Sequence, residues 1–176
     1  MAKMNGKEVM NKNEVAIVGG AGFVGSRLTV RFRKQNIFSN KYDIDLSNHL
    51  GESIYLDVED SDSLDQLAGV STIINLAAVH RDDVRPLSRY DDVNVQGARN
   101  VCEAACKHGV NKIIFTSSVA IYGFAPADTD ESGESNYFND YGRTKYLAEQ
   151  VYKAWQAEDP ESRTLVIVRP TVIFGE

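Results

Sequence analysis

The chain is poor in cysteine, short of positive charge, and without any long apolar run. Only two of its 176 residues are cysteines. A membrane-spanning helix needs about 20 consecutive apolar residues, and no stretch here approaches that length. Basic residues number 19 against 25 acidic ones, giving a net charge of -6 and a pI of about 5.1. An acidic chain with no basic run offers no electrostatic footprint for nucleic acid and nothing to seek an anionic membrane. The stretch Met1 to Asn13 is polar and lacks the apolar core of a signal peptide. Cys102 and Cys106 stand four apart on a predicted helix. A zinc site would need further ligands nearby, and a redox dithiol is usually C-x-x-C. Both are therefore expected to be small apolar residues on or beside a buried stripe, and no metal site is expected. These absences predict a reduced, cytoplasmic, soluble protein.

What is present is enough for one domain. Hydrophobic residues make up 43% of the chain, ample for a core at this length, although the chain is short for two domains. Residues 1–13 form a polar leader and 14–176 the domain. Glu14 to Val18 is a short apolar run ending in glycines, which suits a buried parallel strand. From Phe23 the apolar residues Phe23, Val24, Leu28, Val30, Phe32 and Ile37 recur at roughly helical spacing. Further strands are predicted at Lys41 to Asp45, Ser53 to Leu56, Thr72 to Leu76, Lys112 to Thr116 and Thr164 to Val168. Ser61 to Leu64 reads as the start of a short helix, because Ser and Asp cap free N–H groups. Val95, Ala98, Val101, Cys102 and Ala105 form the apolar stripe of a helix closed by His108-Gly109. Tyr141 to Trp155 is another helix. The segment from Gly123 to Asn136 reads as a solvated, mobile loop. Strands alternating with helices imply an α/β fold, a doubly wound parallel sheet of the Rossmann type.

Gly19-Gly-Ala-Gly-Phe-Val-Gly25 lies between the first strand and the first helix. It satisfies G-x-G-x-x-G through Gly20, Gly22 and Gly25, and G-x-x-G-x-x-G through Gly19, Gly22 and Gly25. A pyrophosphate must approach such a backbone closely, and the helix N-terminus then offers N–H groups and partial positive charge. A glycine turn alone is a weak signal, but the strand–turn–helix context is right here. An acidic residue about 20 positions on should hold the ribose. Asp45 is the first choice, with Asp43 as the alternative. A carboxylate there repels a 2′-phosphate and no Arg follows closely, so the expected cofactor is NAD rather than NADP.

Tyr141-Gly-Arg-Thr-Lys145 places a phenol and an ammonium on one helix face. The ammonium should lower the tyrosine pKa, and such a tyrosine can take the proton of a substrate alcohol as its hydride leaves. Ser118, at the carboxyl end of the fifth strand, carries a hydroxyl able to hold the same substrate oxygen. Ligands of doubly wound sheets bind at that edge.

With these pieces in this order the chain resembles the extended short-chain dehydrogenase/reductases, the NAD-dependent epimerase/dehydratase family, from about Glu14 to Gly175. The matching segments are Gly19–Gly25, Leu56-Asp57-Val58, Asn75-Leu-Ala-Ala78, Asn94-Val-Gln-Gly97, Ser117-Ser118 to Tyr122-Gly123, Tyr141–Lys145 and Arg169-Pro170. The resemblance implies that Asp57 and Val58 meet the adenine and that Leu76, Ala77 and Ala78 line the cofactor. It also implies cofactor contacts from Phe23, Val24, His80, Asn94, Pro170 and Val172. Ser118 and Tyr141 would handle the reacting hydroxyl, and Lys145 would bind the nicotinamide ribose and tune Tyr141. A homodimer through the helices at 94–108 and 141–155 is implied by analogy.

Departures from the family pattern narrow the activity. Sugar 4,6-dehydratases of the family carry Asp-Glu directly after the residue matching Ser118, where this chain has Val119-Ala120, which cannot move a proton. The chain then resembles the UDP-sugar 4-epimerases, or a reductase of similar build, although the galactose epimerases have asparagine where Val172 stands. An epimerase would oxidise a sugar at C4, let the 4-keto sugar rotate, and return the hydride to the other face. Relatives continue well beyond Glu176 into a smaller C-terminal substrate domain. The chain is thus expected to be an N-terminal fragment that folds and binds NAD but turns over poorly. A non-catalytic dinucleotide sensor is the alternative from another class, and it would have no need of Ser118, Tyr141 and Lys145 together.

Overall fold

The computed structural model describes residues 14–48, 51–81 and 83–175. The polar leader expected at 1–13 therefore lies outside the described residues. Among the described residues there are eight strands: β1 (Glu14–Val18), β2 (Ser39–Asp43), β3 (Ser47–Asn48), β4 (Gly51–Glu52), β5 (Ile54–Tyr55), β6 (Val70–Asn75), β7 (Lys112–Thr116) and β8 (Thr164–Val168). Four α-helices accompany them among the same residues: α1 (Phe23–Lys34), α2 (Ser88–Tyr90), α3 (Gly97–His108) and α4 (Asp140–Ala157). A π turn, Asp91–Gln96, joins α2 to α3.

Six strands form one sheet in the order β5-β2-β1-β6-β7-β8, every neighbouring pair parallel. From β1 the chain steps outward to β2 and β5, then returns to β6 on the other side of β1. That reversal opens a crevice at the carboxyl ends of β1 and β6, where doubly wound sheets take their ligands. The central strands β1, β6 and β7 are largely apolar because both faces of the sheet are covered there. Ala16, Val18, Ile73, Ile113 and Phe115 face α3 and α4 and join Val101, Ala105, Ala148, Tyr152 and Trp155 in one buried cluster. Ile17, next to Ala16 in β1 and also fully buried, lies outside that cluster, and α1 packs against β1 and β2. Gly109 ends α3 in the left-handed conformation, with a φ of 70°, which glycine adopts without a Cβ penalty.

Several boundaries differ from expectation. The second strand is Ser39–Asp43, so Asp45 stands two residues beyond its end rather than at it. Gly19 N and Gly20 N both donate to the Tyr42 carbonyl, which marks where this strand meets the loop. A short antiparallel ribbon, β3 with β4, stands between β2 and β5, where the sequence pattern predicts no element. The helix expected from Ser61 is a 3-10 turn at Ser63–Leu67. The loop from Gly123 to Asn136 is largely exposed but tethered, since Asn136 N donates to the Ile121 carbonyl at 2.9 Å. Cys102 is buried and Cys106 exposed, both free. Only Cys102 thus belongs to the apolar stripe.

Candidate functional site

The glycine loop connects β1 to α1 at the switch point. Gly19 has a φ of +76°, and a Cβ there would lie 2.6 Å from the Ala77 nitrogen. Left-handed backbone and close approach to the end of β6 both demand glycine. A Cβ on Gly22, by contrast, would meet nothing nearer than the Gly19 carbonyl at 3.4 Å. Gly22 is also the N-cap of α1, which has no capping side chain and no acid in its first turn. A helix start of this kind suits an anion.

Asp43, the last residue of β2, accepts a hydrogen bond from Ala21 N at 2.8 Å through one carboxylate oxygen. Its other oxygen accepts from Asp45 N at 3.0 Å. Asp45 instead turns to accept from Ser47 N at 3.1 Å and is exposed. Both acids line the crevice, but Asp43 is the one braced against the glycine loop.

The crevice has a volume of about 870 Å³. Gly19, Gly22, Phe23, Val24, Gly25, Asp57, Val58, Leu76, Ala77, Ala78, His80 and Pro170 all lie on its wall, as do Ser118, Tyr141 and Lys145. Two expected cofactor residues do not. Asn94 is 4% exposed and sits behind the wall, where its amide accepts from Val79 N at 2.8 Å and donates to Val79 O at 3.0 Å. It also donates to Thr144 Oγ1 at 3.0 Å. Asn94 thus fixes the wall rather than forming it. Val172 is 80% exposed, and its neighbours Thr171 and Ile173 line the crevice instead.

Ser118 caps the 3-10 turn Val119–Tyr122, its hydroxyl accepting from Ala120 N at 3.1 Å. Asn139 caps α4 by accepting from Gly142 N at 2.8 Å. A Cβ on Gly142 would stand 2.4 Å from the Ala120 carbonyl, so glycine lets the first turn of α4 close on the turn after Ser118. That contact brings Tyr141 to Ser118. Lys145, one helical turn on, is 2% exposed and holds its ammonium 4.4 Å from the centre of the Phe115 ring.

The electrostatics differ from expectation. Burial pushes the Tyr141 phenol above its ordinary value, and a hydrogen bond with Ser118 draws it partly back. The expected lowering by Lys145 is not among the influences on this phenol. Burial pushes the Lys145 ammonium down to about 7, with the Glu149 carboxylate pulling it upward. Among the described residues no group of His, Cys, Asp and Glu is arranged to hold a metal ion.

Sequence reasoning missed a supporting layer. Tyr152, fully buried on α4, accepts from Asn75 Nδ2 at 2.7 Å and packs on Phe115 with ring centres 4.5 Å apart. Asn75 Oδ1 in turn accepts from Ala77 N at 3.0 Å. Arg89 and Glu59 also meet at 2.5 Å on the crevice wall. Only the apolar setting of Asn75, at the end of a strand, signalled any of this in advance.

Fold and site together define a dinucleotide-binding domain with a serine, tyrosine and lysine gathered at one end of its cleft. The chain belongs to the NAD dependent epimerase/dehydratase family, whose model matches residues 15–176. It is 48% identical over 173 residues to the N-acetyl-alpha-D-glucosaminyl-diphospho-ditrans,octacis-undecaprenol 4-epimerase of Escherichia coli O157:H7, covering 95% of this chain and 50% of that protein. It is 30% identical over 156 residues to the UDP-glucose 4-epimerase of Rhizobium meliloti (strain 1021), covering 82% and 47% respectively. Among solved structures, UDP-glucose 4-epimerase from Brucella ovis in complex with NAD superposes with a TM-score of 0.80 at 27% identity, over 89% of this chain and 51% of that one. MoeE5 in complex with UDP-glucuronic acid and NAD gives a TM-score of 0.81 at 27% identity, over 89% and 54%. The chain spans about half the length of the relatives it matches. NAD is the cofactor of this family, and no helix among the described residues is long and apolar enough to cross a membrane.

Proposed function

We propose that this chain is the cofactor-binding, proton-transferring half of an NAD-dependent 4-epimerase acting on a sugar carried by a diphosphate. The observation that carries the reading is the convergence of Ser118, Tyr141 and Lys145 on the crevice that the glycine loop opens. The open space at Gly22 and the uncapped start of α1 fit a pyrophosphate. Asp43, braced by Ala21 N, takes the ribose hydroxyls in place of Asp45. Asp57 and Val58 close the adenine end.

NAD, when bound, supplies the acceptor and then the donor of a hydride. The chain's own residues move the proton. Tyr141 removes it from the C4 hydroxyl at the phenol oxygen, and Ser118 holds the sugar oxygen beside it. Lys145, in its protonated form, holds the nicotinamide ribose beside Tyr141. Val119 and Ala120, apolar where a dehydratase needs acid and base, support epimerisation over loss of water.

A UDP-sugar is the first reading of the substrate. A second is favoured by the 48% identity to an epimerase named for a diphospho-undecaprenol sugar, against 30% or less for the UDP-glucose epimerases. Both substrates present a sugar on a diphosphate and differ in what the diphosphate bears. The test is transient reduction of NAD, and C4 inversion followed by NMR, in the full-length protein offered each substrate in turn. Tyr141→Phe is expected to cut turnover by about 100-fold or more, the usual scale for a positioned acid–base group, with NAD binding retained. Equal turnover in the variant would remove Tyr141 from the mechanism, and no turnover of either substrate would refute the epimerase reading.

A further inference from the structure

Arg169 lies just past β8 and off the crevice wall, yet the parts that present the proton-handling residues meet on it. The carbonyls on either side extend the β7–β8 ladder: Val168 O accepts from Ser117 N at 2.7 Å and Pro170 O from Val119 N at 3.2 Å. Ser118 is held between those two bonds. The Arg169 guanidinium grips Glu149 with two prongs, Nε to Oε1 at 2.9 Å and Nη2 to Oε2 at 2.7 Å. Its remaining nitrogen donates to the Tyr122 hydroxyl at 2.5 Å and to the Glu131 carbonyl at 2.9 Å. Tyr122 ends the 3-10 turn that Ser118 begins. Glu149 is fully buried and stands on α4 one turn past Lys145 and two past Tyr141, so the three share a helix face. Lys153 also approaches Glu149, at 3.6 Å.

Burying such a pair is costly, and well-packed apolar residues of the same volume are often as stable or more so. What an apolar pair cannot supply is a fixed distance and a fixed orientation, which a two-pronged arginine–carboxylate contact does. The contact ties the end of β8, to which the segment carrying Ser118 is hydrogen-bonded, to the helix that carries Tyr141 and Lys145. We propose that Arg169 and Glu149 are a positioning pair that sets the spacing between Ser118 and Tyr141 for proton transfer. The proposal rests on the reading of Ser118 and Tyr141 as the residues that handle the sugar hydroxyl.

The test compares Arg169→Lys, Glu149→Gln and the double variant Arg169→Met with Glu149→Leu in the full-length protein. Melting temperature, kcat and KM, and the Tyr141 titration are followed, the last by ultraviolet difference against a Tyr141→Phe background. Each single variant is expected to lose about 100-fold in kcat, the scale of a roughly 1 Å misplacement, with KM and NAD affinity little changed. The double variant should regain the melting temperature while kcat stays low. Its Tyr141 should titrate higher than in the parent, because the Ser118 hydrogen bond is lost. Recovery of kcat together with stability in the double variant would overturn the proposal, as would single variants that turn over like the parent. If the parent epimerises no sugar, the functional reading fails while the Tyr141 titration still decides: a raised midpoint in Arg169→Lys supports the positioning role, and an unchanged one refutes it.

Discussion

Lys145 makes the chain's stability rise with pH, the same direction as ordinary acid denaturation but in an alkaline window, and the size of the effect follows from its burial. Its ammonium falls from an ordinary value of 10.5 to about 7. At about 1.4 kcal/mol per pH unit, the charged form costs the folded state about 5 kcal/mol relative to the neutral one. Between about pH 7 and 10.5 the unfolded chain binds more protons at this residue than the folded chain, so stability rises with pH through that window and levels off at both ends. Lys145→Met keeps the length of the side chain and removes the charge. The variant should therefore be more stable than the parent at pH 6 to 7 by several kcal/mol, and the advantage should fade as pH approaches 10. Paired urea unfolding of this chain and the variant at a series of pH values measures the difference, and the other titrating groups cancel between them. A stability difference that does not change with pH would refute the reasoning, since it would mean the ammonium stays hydrated in the folded state.

Other substitutions test the site piece by piece. Asp43→Asn should weaken NAD binding by about 10-fold, as expected for loss of a charged hydrogen-bond acceptor, and should narrow the preference over NADP. Asp45→Asn should change NAD affinity little, so calorimetric titration with both cofactors separates the two acids. Gly19→Ala should cost about 1–3 kcal/mol of unfolding free energy or more, because φ is +76° and the Cβ would meet Ala77 N at 2.6 Å. Chemical denaturation reads that loss, and a neutral outcome would mean the loop does not hold this conformation. Tyr152→Phe should cost about 1–3 kcal/mol by leaving the buried Asn75 amide without its partner, again read by denaturation.

The elements legible in the sequence were those whose pattern is local. Lys112 to Thr116 and Thr164 to Val168 are strands at their expected bounds because each is a β-branched run with clear ends. The glycine loop was legible because its spacing and its strand–helix flanks are fixed together. Asp43 and Asp45 could not be separated, because which of them ends β2 depends on the pairing of Tyr42 with the glycine loop across space. Asn94 was assigned to the cofactor on resemblance, whereas its amide is spent on Val79 and Thr144, contacts that span 15 and 50 positions of sequence. Glu149 carries no local mark of burial at all. Its partner Arg169 comes from another element, and a lone glutamate on a helix gives no sign of such a partner.

The π turn at Asp91–Gln96 has a genetic consequence. A π turn accommodates one residue more than the α-helical turn it replaces, and each residue of an α-helix advances the chain by about 100°. Loss of a single codon within 91–96 would let α2 and α3 fuse into one regular helix with little change in helix content. The side chains before the deletion would rotate against those after it. Asn94 could not then face Val79 while α3 kept its apolar stripe on the sheet. This short stretch is thus a place where reading frame and fold both survive a deletion while the wall of the crevice comes loose. In-frame deletion scanning would find it as a silent lesion for folding and a severe one for cofactor retention.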